Sequence, residues 1–293
     1  MAKNNKPKAA RSGRKGTWTE EIGRLCKNKV AMVSLIMILL IVITTIFADF
    51  IAPYGYAEVD MAHRFSYPSF EHPMGTDNFG RDILSRVIYG GRVSLLVSLL
   101  AIAISTIIGG CLGAIAAYVG GKFENVVMRC LDVLMAIPAL LLAISISAAL
   151  GSGVVNSAIA ISVAGIPSSA RMMRAVVLGI KDQEYVEAAR ANGAKHPRIL
   201  FHEIIPNTLA PILVDITLRI GANILQISSL SFIGLGVQPP TPEWGSILAS
   251  GRDYIRDFWP MVVFPGIAIM LTLIFFNLFG DGLRDAMDPR MKK

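Results

Sequence analysis

Charge is what this chain has least of. Lys, Arg, Asp and Glu make up 17% of its 293 residues, 53% are hydrophobic, and the mean hydropathy is +0.55. A soluble domain carries about 25% charged residues, so an ordinary water-soluble fold is excluded. Cysteine is as sparse. Cys26, Cys111 and Cys130 fall in a basic tail, inside an apolar block and at a block's edge, with no metal-ligand spacing and no implied disulfide. No Gly-x-x-x-x-Gly-Lys-Ser/Thr occurs, so the chain does not cradle nucleotide phosphates by that route. His-Glu-x-x-His and Gly-x-Ser-x-Gly are missing too, which removes the common patterns of an intramembrane enzyme. The net charge of +7 would suit nucleic acid, but no such motif accompanies it, and the basic residues are segregated along the chain rather than gathered in one patch. His63 and His72 lie near acids in a polar loop; isolated histidines there rarely bind a metal, and none is expected.

What the chain has in place of charge is apolar blocks of membrane length. They run from Val30 to Ala48, Val93 to Val119, Leu131 to Leu150, Val154 to about Met172, Pro211 to Val237 and Trp259 to Phe279. The first is long for a signal peptide and no Ala-x-Ala follows it, so an uncleaved anchor is expected. An all-α integral membrane protein with six spans results. Nine Lys/Arg in residues 1–29 stand against Glu20 and Glu21, and Lys122, Arg129, the 171–198 loop and Arg284, Arg290, Lys292 and Lys293 add basic residues on the same side. The positive-inside rule then makes both termini cytoplasmic. The expected organisation is a basic tail (1–29, disordered at its start), a first span (30–48), an extracytoplasmic loop (49–92), a five-helix core (93–280) and a C-terminal tail (281–293). In the loop, Ile83, Leu84, Val87 and Ile88 share a face, with Asp82 and Arg86 paired at i,i+4, as in a short amphipathic helix lying on the outer membrane surface. Gly109-x-x-x-Gly113 permits close helix packing. Pro138, Pro167 and Pro265 are expected to bend or break their helices.

One polar island interrupts the apolar blocks, within residues 180–207. It reads as two short helices joined at Gly193, with Asp182 as N-cap of the first, Glu184 near its positive end, a Glu187/Arg190 pair, Pro197 opening the second and Pro206 ending it. Val186, Ala189 and Gly193 recur at helical spacing as a face of little bulk, fit to be docked into. In the fifth span, Asp215 and Arg219 sit one turn apart near its start, where the bland expectation is a self-neutralising pair at the interface. Asn223 and Gln226 follow, and these four are the candidates for a polar translocation path.

Glu187-Ala188-Ala189, Gly193 and Pro206 resemble the EAA loop of ABC-importer permeases, although Glu203 stands where that pattern has an apolar residue or histidine, and His202 is one place early. His72-Pro-Met-Gly-Thr-Asp77, Phe79 to Arg86, Gly90-Gly-Arg-Val-Ser94, Leu230 to Pro240, Glu243-Trp-Gly245 and Gly280 to Arg290 resemble the second, C-type permease of dipeptide/oligopeptide importers. The resemblance implies a type I ABC-importer permease fold in a bacterial or archaeal cell membrane. It also implies a non-enzymatic subunit paired with a homologous permease, two ATPase subunits and an external binding protein, with ATP and Mg held by the ATPases and no cofactor here. It assigns Glu184, Glu187, Ala188, Ala189 and Gly193 to ATPase coupling. Di- or oligopeptides are the implied cargo, with nickel complexes or oligosaccharides as alternatives within the same architecture. A stand-alone secondary carrier is the alternative of another class, and would leave the docking loop unexplained.

Overall fold

The computed structural model describes residues 22–287. The start of the basic tail and Arg290, Lys292 and Lys293 lie outside them. Among the described residues the fold is helical throughout, apart from one isolated bridge between Thr76 and Asp82. Helix α1 (Lys29–Ile46) starts where Asn28 Oδ1 accepts from the amides of Val30 and Ala31. Helix α2 (Ile83–Val119) is followed by α3 (Gly121–Met135), α4 (Ala139–Leu150) and α5 (Val154–Ile180). The polar island holds α6 (Glu184–Ala191), and α7 (Ile205–Phe232), α8 (Trp244–Gly251) and α9 (Pro260–Met287) complete the chain. Among the described residues five helices are long and apolar enough to cross a membrane, and α3 with α4, bent by 82° at the break between them, makes a sixth if the pair is one span.

The bend answers the question posed by Pro138. It ends the third span, so the stretch expected as one helix over 131–150 is two. Pro167 and Pro265, by contrast, sit inside the unbroken helices α5 and α9, each removing one backbone donor without ending its helix. Helices α2 and α5 run side by side in the same direction. A Cβ on Gly109 would come within 2.5 Å of Ile166 O, and one on Gly113 would run into the carbonyl of Ala170. The small-residue spacing thus does what it promised. At the far end of α9, Gly280 packs on Leu218 and Gly282 on Ala31, which ties the chain's last helix to its first. Asp281 lies between these two glycines, inside α9.

The segment expected as a surface helix is instead the first three turns of α2. Asp82 caps it through the Ser85 amide, and nothing between Arg86 and Val93 breaks helical propagation. Its apolar face meets protein: Ile83 is 0% exposed and, with Val87, joins a cluster containing Trp244, Phe258 and Met261. The charges pair otherwise than expected. Asp82 binds Ser85 and His72, while Arg81 Nε donates to Asp77 Oδ2 at 2.6 Å and Arg86 Nε stands 3.6 Å from the same oxygen. Arg86 also donates to Tyr56 O, so this buried network holds loop 52–82 down on the bundle. At the exposed tip, the Asp60 carboxylate bonded to His63 raises the imidazole above its ordinary pKa. Ile83→Asp would put an unpaired carboxylate at a fully buried position, at a cost on the order of 4 kcal/mol. Loss of folded protein, read by protease sensitivity in membranes, is the expected result; a chain as resistant as the parent would contradict this packing.

Candidate functional site

The polar island forms one end of the bundle. Helix α6 begins after Gln183, not Asp182, and no side chain caps it. Its far end is built as expected around Gly193, at φ +78°: Gly193 N–H donates to Arg190 O and Ala194 N–H to Ala189 O, the paired bonds of a glycine-terminated helix. A Cβ on Gly193 would meet nothing within 4 Å, so the requirement is purely conformational. Pro197 lies in the first turn of the next helical segment, His196–Arg198. Pro206 does not stop the chain. Ile199–Ile204 forms a π-helical turn, with Ile205 N–H reaching back to Leu200 O, and α7 continues from it with Pro206 in its first turn. Proline is tolerated there because no intrahelical donor is needed from it.

The faces of α6 are opposite to the expected ones. Val186 is 0% exposed and packs with Val177, Ile199, Leu200 and Ile204, and Ala189 is half-buried. The side of small residues therefore turns inward and seats α6 on α5 and the π-helical turn. Glu184, Glu187, Ala188 and Gly193 are exposed, and the expected Glu187/Arg190 pair does not form. Tyr118 Oη with His196 Nδ1 (2.8 Å), Lys181 Nζ with Ala117 O (3.1 Å) and Asn207 Nδ2 with Tyr185 Oη (3.2 Å) fasten the loop to α2 and α7.

A cleft of about 220 Å³ opens where the third span breaks, lined by Pro138, Ala139, Gly165, Ser168, Arg219, Asn223 and Gln226, with Leu134, Met135 and Ile137 on its apolar wall. Three of the four path candidates thus share one space. Asp215 does not line it; it faces a second cleft bordered by Asn207, Leu218 and Arg284. Arg219 stands fourteen positions past Ile205, about 21 Å along α7. It pairs with Asp215 Oδ2 at 3.4 Å and donates to Ser169 Oγ, Ser105 Oγ (3.1 Å) and Gly165 O (3.4 Å), joining α2, α5 and α7. Nearer the α6 end, Arg171 to Asp132 and Arg174 to Glu124, both 2.6 Å, brace α3 against α5. His63 and His72 serve ion pairs, and no group of three metal-ligating side chains occurs among the described residues.

Glu243 is the residue whose part in the fold the sequence reading missed. It is 0% exposed, caps α8 through the Ser246 amide, and accepts from Ser94 Oγ (2.9 Å) and Ser228 Oγ (3.2 Å). Beside it Trp244 Nε1 donates to Val87 O over the Gly90-Gly91 notch, and Gly245 rests on the backbone of Ser228. The available signal was Glu243-x-x-Ser246, a reciprocal capping pair following a Pro-rich turn.

These features define an α-helical, multi-span membrane protein with polar clefts between its spans and a rigidly seated polar loop at one end. Residues 109–293 match the model of the binding-protein-dependent transport system inner membrane component, and residues 16–70 that of the N-terminal transmembrane domain of oligopeptide transport permease C. The dipeptide transport system permease protein DppC of Alkalihalophilus pseudofirmus is 45% identical over 275 residues, covering 94% of this chain and 90% of that protein. The glutathione transport system permease protein GsiD of Escherichia coli is 42% identical, with 94% and 91% covered. In fold, the chain resembles the MetNI methionine ABC transporter in an inward-facing form (TM-score 0.59, 16% identity, 70% of this chain and 98% of that one). The chain belongs to the binding-protein-dependent transport system inner membrane components, as a C-type permease subunit of the dipeptide/oligopeptide ABC branch. It is a multi-pass inner-membrane subunit and not itself the ATPase.

Proposed function

We propose that this permease forms half of the path by which short peptides, delivered by an external binding protein, enter the cytoplasm. A homologous permease supplies the other half, and two ATPase subunits holding ATP and Mg drive the cycle from the α6 side, which is cytoplasmic along with both termini. The observation that carries the reading is the inverted seating of α6. Its apolar face is spent on the chain's own helices, leaving Glu184, Glu187 and Ala188 outward on a body clamped to α2, α5 and α7. A groove closing around that face would drag these spans as one rigid body. Helix α3 supports the second permease: it buries little beyond Leu131 and leaves Phe123, Val126 and Val133 exposed. Peptide cargo is favoured by the dipeptide and glutathione permeases among the relatives.

The test is reconstitution of the complex with its binding protein and measurement of ATP-dependent dipeptide uptake, with nickel complexes and oligosaccharides as competing cargo. Uptake of either competitor and not of dipeptide would remove the peptide reading. Orientation is checked separately: a cysteine at Ser69 should react with an impermeant thiol reagent from outside and one at Asn192 should not. The reverse pattern would overturn the topology.

A further inference from the structure

We infer that the cleft at the broken third span is a carboxylate subsite, in which Arg219, Asn223 and Gln226 take the C-terminal carboxylate of a peptide in transit. The inference rests on the peptide-permease reading and adds to it a place on the path and the chemical group recognised there. Four observations converge on an anion.

Arg219 is a cation midway along α7 whose charge is only partly answered. Its single acidic partner is Asp215 at 3.4 Å, and the other acceptors, Ser105, Ser169 and Gly165, are neutral. Among the described residues its Nε has no acceptor, and the side chain remains 16% exposed, at the cleft. Asn223 is 6% exposed, lines the same cleft, and its amide makes no hydrogen bond among the described residues; the Gln226 amide one turn further makes none either. Both amides keep access to the cleft rather than being sealed from it, so their donors and acceptors are available to a ligand that enters. Pro138 and Ala139 also border the cleft, so the twelve-residue helix α4 opens its positive, N-terminal end there. Leu134, Met135 and Ile137 add apolar lining, which strengthens every one of these attractions. A guanidinium, two amides and a helix N-terminus suit a planar anion with several lone pairs, and every peptide with a free C-terminus carries one.

The arrangement also explains a glycine. A Cβ on Gly165 would sit 2.7 Å from Arg219 Nη2, so only glycine at this position leaves the guanidinium its present place beside the cleft.

The experiment uses the assembled transporter with Cys26, Cys111 and Cys130 replaced by serine and a single cysteine at Gln226. Two methanethiosulfonate reagents of similar size are compared, one sulfonated and one quaternary ammonium, each normalised to a free thiol. The sulfonated reagent should react at least about tenfold faster, the concentrating effect expected of one charge in a low-dielectric cleft. Arg219→Gln should abolish that preference, Arg219→Lys should keep it, and Asp215→Asn should increase it. A dipeptide should slow labelling and its C-terminally amidated analogue should not. No labelling, equal rates, a preference indifferent to Arg219 and Asp215, or equal protection by both peptides would each overturn the subsite. Where Arg219→Gln does not assemble, the Asp215→Asn and amide-analogue measurements still decide. ATP-driven dipeptide uptake by the cysteine-free complex, with Gln226 intact, is measured alongside. Uptake without charge preference removes the subsite and keeps the permease; charge preference without dipeptide uptake removes the peptide reading instead.

Discussion

Gly193→Val is expected to abolish peptide uptake while the chain still inserts and assembles. The residue sits at φ +78° with nothing within 4 Å of a built Cβ, so the damage is not a collision but a backbone state that β-branched residues almost never adopt. Forcing it costs roughly 1–2 kcal/mol locally. The larger effect is geometric: the chain escapes by unwinding the two bonds that end α6, and the exposed face loses its fixed angle to α5. Gly193→Asn is the control, because asparagine enters the left-handed region readily and should retain most uptake. Glu187→Ala acts on the same surface without touching the fold. That carboxylate is exposed and has no ion-pair partner among the described residues. If it meets a cation in a desolvated groove, its removal weakens ATPase association by about 2–5 kcal/mol, or leaves hydrolysis running without transport. Parental uptake in both Gly193→Val and Glu187→Ala, with the ATPase bound, would remove the coupling role of α6.

Gly113→Leu is expected to be the most damaging single change within the spans. Any side chain there runs into the Ala170 carbonyl, whose carbon would lie 2.9 Å away, and this is helix backbone that cannot swing aside. Helices α2 and α5 must separate, and with them the cluster joining Ala114, Ala117 and Met173. Overpacking of this kind costs about 3 kcal/mol or more. Gly110→Ala, three positions earlier, is a matched control: its Cβ would sit 3.2 Å from the end of the Met173 side chain, which can move. Thermal unfolding of the purified complex should fall clearly for the first and little for the second. Equal midpoints would mean that the two helices are not held by close backbone approach.

What the chain's pattern revealed was whatever local chemistry decides. Apolar length marked the spans, Gly193 announced its left-handed turn, and Gly109-x-x-x-Gly113 announced its interface. What it concealed depended on partners distant in sequence. Ile83 and Val87 repeat like a surface helix, and only Trp244, Phe258 and Met261 turn that face into core. Val186 and Ala189 likewise read as a docking face, but Val186 is packed with Ile199 and Ile204. Arg219 was placed near the start of its helix because that helix was taken to begin at Pro211, whereas it begins at Ile205 and continues from the π-helical turn before it. The break at Pro138 could be foreseen, but not that its gap would gather Asn223 and Gln226.

The π-helical turn at Ile199–Ile204 bears on how this loop can change over generations. A turn closed by i→i+5 bonds contains one residue more than an α-helix needs. Deleting a residue elsewhere in a packed helix throws every later side chain out of place; here the same deletion leaves a regular helix. Such a loss would leave both α6 and the cleft at Arg219 in place, because the extra residue is taken up within the turn itself. Between the exposed face of α6 and that cleft the chain thus carries a spare position, where a residue can be lost or gained without redesigning either.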